Sequence, residues 1–261
     1  MLGKLLKHEF KASGRIILPL YLVLAVLTLM NRITFSLRGE KIMNIISNFL
    51  IFTYVISIIA VVAVSFVIVV LRFYRNLMLD EGYLMFTLPV KTSQLITSKL
   101  IAASIWTLLS FLATIASVSI VFFSLDRIGL LGSLWDSILL SLGQYLSSGQ
   151  ITLLFTELII SVILQIISSL LMIYTSIAIG QLSNGHKLLG SVAAYVGIST
   201  VLQTMVSVIA VMFGTLFPSI IADASSIVTT ALPLTFVYNL VSGALFYAVT
   251  HFILKKKLNL E

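Results

Sequence analysis

Long stretches without an ionised side chain constrain this chain more than any other feature. A helix that crosses about 30 Å of hydrocarbon needs roughly 20 apolar residues. Because backbone polar groups must stay paired there, such stretches predict helices, whereas a barrel would show alternating strands of about ten residues. The charge-free windows are Ile16–Asn31, Ile42–Leu71, Leu100–Leu125, Leu158–Gly185, Leu188–Ala222 and Ala224–Leu254. The sequence therefore predicts an all-α integral membrane protein with six transmembrane helices.

Composition supports a membrane protein with little extramembrane chain. Hydrophobic residues make up 59% of the chain and charged residues only 10%, which is unlike a soluble domain. The chain has no cysteine, which excludes disulfides and thiolate metal sites. We expect residues 1–261 to form a single membrane domain, with spans at about 16–35, 49–71, 101–123, 153–179, 190–217 and 234–254.

Basic residues give an orientation. With both termini in the cytoplasm, only Arg32, Arg38, Lys41 and Arg127 would face outward, leaving twelve of the sixteen Lys and Arg inside. Cytoplasmic loops are enriched in Lys and Arg, although the first external loop departs from that rule. We expect a multi-pass protein of the cell (plasma) membrane with cytoplasmic termini. The net charge of +7 then reflects orientation in a lipid bilayer and not binding to nucleic acid.

The first fifteen residues predict an amphipathic helix. Leu2, Leu6 and Phe10 lie near one helical face, while Lys4 and Lys11 lie elsewhere. We expect this helix to lie flat on the inner leaflet, before span 1 begins at about Ile16. An unstructured basic tail is the alternative.

The segment between spans 2 and 3 is the longest inner loop and mixes acids, bases and aromatic residues. Asn76–Tyr83 can form a short helix that carries Asp80 and Glu81, and Pro89 limits its continuation. A solvated loop would not need so many apolar side chains. The loop therefore predicts a docking element for another protein, with a helix lying on lipid as the alternative.

This inner loop resembles that of type 2 ABC exporter permeases. The resemblance rests on Glu81-Gly82, Leu88-Pro89-Val90 and Lys99. Those proteins are membrane subunits with six spans, an amphipathic N-terminal helix, a cytoplasmic coupling helix and a re-entrant hairpin between spans 5 and 6. The resemblance implies a permease subunit that forms the pathway for an amphiphilic substrate such as an antimicrobial peptide, a drug or a lipid.

The same resemblance implies partners and contact residues. The partners are an ABC ATPase subunit, which would carry ATP and Mg, and a second permease copy or paralogue; no cofactor is expected in this chain. The coupling helix would be Asn76–Phe86. The expected contacts with the ATPase are Asn76, Leu77, Asp80, Glu81, Gly82, Tyr83 and Phe86.

The segment between spans 5 and 6 is too apolar for an exposed loop and too short to cross and return. Pro218 and Pro233 bracket it, and Asp223 lies in its central turn. Non-helical backbone at depth persists only where protein or water satisfies it, so we expect a re-entrant helical hairpin. An ordinary external loop remains the alternative. Between spans 3 and 4, apolar residues at helical spacing predict another helix.

Polar residues form rows along several spans. On span 4 the row begins at Glu157, which is the only acid placed inside a span, and continues through Ser161 and Gln165. On span 5 the row contains Thr200 and Gln203. Charge in hydrocarbon is costly and often functional, whereas small hydroxyls usually join helices. Both a partly polar pathway and simple packing stay open. Span 3 has a similar row at Ser104, Thr107, Ser110, Thr114 and Ser117.

No residues suited to catalysis or metal binding stand out. Gly180–Lys187 lacks the spacing and the ending of a phosphate-binding loop, and His8, His186 and His251 show no metal-binding spacing. We expect no metal site and no enzyme activity in this chain. A secondary transporter or channel that does not use ATP is the main alternative function, although it needs more intramembrane ionisable groups than Glu157.

Overall fold

A computed structural model describes residues 2–36, 41–78, 90–122, 128–183, 186–218 and 224–256. All regular structure in these ranges is helical. Six helices are long and apolar enough to cross a membrane, which confirms the predicted membrane class. The long helices are α1 (Leu2–Ser36), α2 (Lys41–Met78), α3 (Thr92–Phe122), α4 (Ile128–Gly143), α5 (Ser148–Gly180), α6 (Lys187–Leu216) and α7 (Leu232–Lys256).

The first helix differs from the sequence-based expectation. A separate amphipathic helix was expected before span 1, but α1 is continuous from Leu2 to Ser36 and contains Pro19. Proline removes only the backbone hydrogen bond to the carbonyl of Arg15, so it does not have to end a helix. At 1.5 Å per residue, α1 is roughly 52 Å long and therefore exceeds the hydrocarbon thickness. The amphipathic segment is the beginning of the spanning helix.

The chain forms two compact units, of which the first comprises Met1–Phe73 and Gln94–Ser133. In this unit α1 and α3 run parallel, since Tyr21 Oη lies 2.7 Å from Ser110 Oγ and Thr28 Oγ1 lies 2.6 Å from Ser117 Oγ. Helix α2 runs antiparallel to α1. Near the end of α1, the Asn31 side-chain nitrogen donates to the carbonyl of Leu50, on the first half of α2, at 3.2 Å.

The core of the first unit contains a shared hydroxyl group. Leu24, Val61 and Val121 are buried there together with Tyr54. The Ser117 hydroxyl is hydrogen-bonded both to Thr28 on α1 and to the Tyr54 hydroxyl on α2, the latter at 2.7 Å. Packing is therefore the role of this part of the polar row on span 3, because paired hydroxyls join helices in an apolar medium.

The second unit comprises Tyr74–Ser93 and Leu134–Glu261. Its central helix, α5, packs against both α6 and α7. Helices α5 and α7 run parallel, since the hydroxyls of Ser168 and Ser242 lie 2.9 Å apart, as do those of Thr175 and Thr250. The single membrane domain remains a prediction.

The ends of α5 follow directly from local sequence. Ser147 caps the N-terminus in a reciprocal arrangement with Gln150, whose side chain accepts from the Ser147 backbone N–H at 2.9 Å. At the other end, Gly180 permits a close approach to α6, since a Cβ at this position would overlap the backbone nitrogen of Ser191. Only glycine fits there.

The connection between spans 3 and 4 contains the helix that apolar spacing predicted. Helix α4 exposes large apolar side chains, including Trp135 and Leu140. The ring of Trp135 lies 5.3 Å from that of Phe155 on α5, measured between centroids. How α4 lies against the membrane remains a prediction.

Candidate functional site

Three charged side chains form a buried ion cluster at the end of the first unit where α1 begins. Glu9 Oε1 accepts a hydrogen bond from Lys99 Nζ at 2.6 Å. Glu9 Oε2 accepts a hydrogen bond from Arg72 Nε at 3.1 Å and forms an ion pair with Arg72 Nη2 at 3.0 Å. The carboxylate of α1 thus bridges the ammonium of α3 and the guanidinium of α2. We call these three residues the ion cluster.

The ion cluster is shielded from solvent to different degrees. The side chains of Glu9 and Lys99 are 8% and 3% exposed, and that of Arg72 is 21% exposed. Phe73, Leu95 and Ile96, which are next to these residues or one helical turn away, are buried too. Charges removed from water persist only when they are paired and hydrogen-bonded, and both carboxylate oxygens of Glu9 meet that condition.

Aromatic packing holds α1 against α3 beyond the ion cluster. The Phe10 and Trp106 rings lie 6.1 Å apart, and a Cβ at Gly14 would lie 3.3 Å from the Trp106 ring. Tyr21, two turns beyond Gly14, contacts Trp106 and hydrogen-bonds to Ser110. The small side of α1 at Gly14 therefore accommodates the largest side chain on α3.

The ion cluster lies beside the predicted docking loop. Arg72 is six residues before Met78, the last residue of α2, and Lys99 is seven residues after Thr92, the first residue of α3. Residues 79–89 between these helices lie outside the described part of the chain. Glu9 therefore links α1 to both helices that flank the loop. Arg72 and Lys99 each lie roughly 9–10 Å, measured along their own helix, from the helix end that adjoins the loop.

The predicted ATPase contacts are only partly described. Asn76 and Leu77 belong to the last turn of α2, so the segment expected to form a separate coupling helix begins inside the helix of span 2. Residues 75–78, Arg-Asn-Leu-Met, include no residue that breaks a helix. The backbone hydrogen bonds of α2 can therefore continue beyond the charge-free part of span 2. Asp80, Glu81, Gly82, Tyr83 and Phe86 lie outside the described residues, so the coupling helix remains a prediction.

The polar row on α5 divides into two parts. Its later members pair with α7, as Ser168 and Thr175 show. Its earlier members do not pair within the described residues: Glu157 Oε2 and Ser161 Oγ are buried atoms without a hydrogen-bond partner there. Gln165 is exposed. Simple packing thus explains the later part of the row and leaves the pair Glu157 and Ser161 unexplained.

The row on α6 faces outward. Thr200 is exposed and its hydroxyl donates to the carbonyl of Val196 in its own helix at 2.8 Å, while Gln203 is exposed as well. Among the described residues, only Ser191 is buried on this helix. The row therefore does not join α6 to α5 or α7.

The segment before α7 contains an unusual helical turn. Ala224–Ser226 continue into a π-helix at Ile227–Ala231, which packs on α5 and α7 and buries Val228. Pro218 is exposed, Asp223 lies outside the described residues, and Pro233 lies in the first turn of α7. The re-entrant hairpin therefore remains a prediction. Among the described residues, no three His, Asp or Glu side chains are close enough to share a metal ion.

Sequence reasoning missed Glu9, which is the centre of the ion cluster. It was not singled out among the charged residues of the first fifteen positions. The available signal was its spacing, because Glu9 follows Leu2 and Leu6 and precedes Ser13 and Ile17 on the face of α1 that the structure buries.

Compared with known proteins, the chain matches no family model, no curated protein and no solved structure. The family resemblance thus rests on the motif of the inner loop alone.

Proposed function

We propose that this chain is the membrane-spanning permease subunit of an ATP-driven exporter, in which a separate ATPase subunit binds ATP and Mg. Six helices suited to cross a membrane provide the required framework. The observation that carries the proposal is the ion cluster, since Glu9 links α1 to both helices that flank the acidic and aromatic inner loop.

In this proposal, the ion cluster transmits the movement that ATP hydrolysis causes in the ATPase partners to α1. Closure of the ATPase partners would press on residues 76–86, and α2 and α3 would receive that displacement directly. Because Glu9 is hydrogen-bonded to Arg72 and Lys99, α1 would move with them instead of sliding past them. Three helices would then respond as one body to a force applied at one loop.

The remaining features of the proposal follow from the sequence resemblance. Both termini would lie in the cytoplasm of a cell whose plasma membrane holds the protein, and a second permease copy or paralogue would complete the pathway. The substrate would be amphiphilic, such as a peptide, a drug or a lipid. The chain itself would not be an enzyme.

Copurification with an ATP-hydrolysing protein tests this function. The tagged chain, extracted from its native host in mild detergent, should retain an ATPase subunit that mass spectrometry identifies. Asp80→Asn, Glu81→Gln and Tyr83→Ala should each reduce that retention. The matched control is Asp136→Asn, because Asp136 is an exposed acid on α4, away from the inner loop in sequence. Retention unaffected by all three loop variants would refute the placement of the contact.

A secondary transporter is the second candidate, and one observation favours it. Buried polar atoms without partners, here Glu157 Oε2 and Ser161 Oγ, are expensive in hydrocarbon and often belong to ion or proton pathways. Purified protein in vesicles without any ATPase would then transport substrate under a proton gradient, and Glu157→Gln would abolish that transport. Transport that requires ATP and survives Glu157→Gln would exclude this candidate.

A further inference from the structure

One face of α1 changes from basic to apolar along its length. Its residues follow each other at steps of three or four positions, so they line a single side of the helix. Lys4, Lys7, Lys11 and Arg15 are all exposed, and we call them the basic face. The same line continues through Leu18, Leu22, Val26, Leu29 and Ile33, which are between 48% and 65% exposed.

This change of character resembles the profile of a helix face in contact with lipid. Exposed apolar residues suit hydrocarbon, and Lys or Arg suits the adjoining headgroup layer. With a rise of 1.5 Å per residue, Arg15 lies about 4.5 Å and Lys11 about 10 Å before Leu18, while Lys7 and Lys4 lie about 16 and 21 Å before it. The headgroup layer is roughly 5–8 Å thick on each side. Long side chains therefore bring Arg15 and Lys11 within its reach.

The opposite face of this segment is already occupied by protein. Glu9 is held in the ion cluster, and Ser13 and Ile17, one and two turns further along that face, are buried. The helix therefore cannot rotate its cations away from the membrane surface without breaking buried contacts. Glu9 is also the only acid before Glu40 in the sequence, so the exposed charge on this segment has one sign.

We propose that the basic face of α1 binds the phosphate groups of anionic phospholipids, with Arg15 and Lys11 in direct contact and Lys7 and Lys4 contributing less. The continuation of this face into exposed apolar residues favours a lipid surface over an acidic protein, because one occupant, the bilayer, matches both halves. The inference is independent of the proposed transport function.

Lipid retention measures this binding. The protein is placed in nanodiscs of equal parts phosphatidylglycerol and phosphatidylcholine, extracted in mild detergent, and its bound lipids are counted by native mass spectrometry. The double variant Lys11→Gln with Arg15→Gln should lower the ratio of retained phosphatidylglycerol to phosphatidylcholine by roughly fivefold for each residue. Added salt should lower the ratio for the unaltered chain as well.

Two variants control for charge and folding. Lys4→Gln with Lys7→Gln removes the same charge but should change the ratio less than about twofold, because the surface potential decays within about 8 Å. Lys11→Arg with Arg15→Lys keeps both charges and should keep the ratio. Equal ratios for the unaltered chain and the Lys11 and Arg15 double variant, in protein with an unchanged helical circular dichroism spectrum, would overturn the proposal. So would a larger loss from the Lys4 and Lys7 variant, or salt that releases an acidic protein in place of phosphatidylglycerol.

Discussion

Replacing Glu9 by Gln removes the central charge of the ion cluster while preserving the shape of the side chain. Lys99 and Arg72 then lose the carboxylate with which they form ion pairs at 2.6 and 3.0 Å. Removing one partner from a buried ion pair costs about 3–5 kcal/mol, because the remaining charge stays out of water. We expect the lower end, about 3 kcal/mol, since the side chain of Arg72 is 21% exposed and water reaches it.

The expected loss should be visible in a thermal assay. One kcal/mol changes the midpoint by about 2–4 °C in a chain of this length, so Glu9→Gln should lower it by about 6–12 °C. The measurement is the fraction of monodisperse protein that survives heating in detergent, followed by size-exclusion chromatography. Lys99→Met should lower the midpoint less than Glu9→Gln, and Arg72→Gln should lower it least because Arg72 is the most exposed of the three.

A double variant separates the electrostatic cost from general damage to the helix. Glu9→Gln combined with Lys99→Met removes both the carboxylate and the most deeply buried cation, so part of the lost stability should return. The coupling between the two changes should be at least about 1 kcal/mol. A midpoint for Glu9→Gln within error of the unaltered protein, or a larger drop for Arg72→Gln than for Glu9→Gln, would refute the reasoning.

Four further substitutions probe features outside the ion cluster by the same assay. Ser117→Ala removes a hydroxyl that bonds to α1 and to α2, and should cost about 1–3 kcal/mol; an unchanged midpoint would contradict that role. Gly180→Ala should cost about 3 kcal/mol or more, because its Cβ would overlap the backbone nitrogen of Ser191, whereas Gly197→Ala, with open space around it, should be neutral or stabilising. Glu157→Gln removes a charge whose Oε2 has no partner among the described residues, and it should leave the midpoint unchanged or raise it; a drop would indicate an unseen partner.

The spans were predictable from the sequence because lipid imposes a simple rule on composition. Each charge-free window coincides largely with one long helix, and α1 and α2 extend past their windows at both ends. Helix α2, for example, continues through Arg72 and Arg75 to Met78. Charges report where lipid ends, but they do not stop backbone hydrogen bonding. For the same reason the amphipathic start of α1 and its spanning part form one helix.

The contacts between helices were less predictable because one pattern has several outcomes. Hydroxyl rows with the same spacing behave differently: Ser117 on α3 pairs with two neighbouring helices, whereas Thr200 on α6 bonds only to its own backbone. Helical spacing places such residues on one face but does not say which helix faces them. Glu9 was missed for a related reason, since its partners are distant in sequence and its neighbours are basic.

The uninterrupted length of α1 has a mechanical consequence. A rod of about 52 Å that tilts by 10° around its middle displaces each end by about 4–5 Å in opposite directions. A rearrangement that shifts Ser36 at one end of α1 is therefore accompanied by an opposite shift of Leu2 at the other end, and Pro19, where one backbone hydrogen bond is missing, is the position at which bending would reduce that shift. The N-terminus of this protein is thus a natural position for a reporter group, because it amplifies small rotations within the membrane into displacements that can be measured.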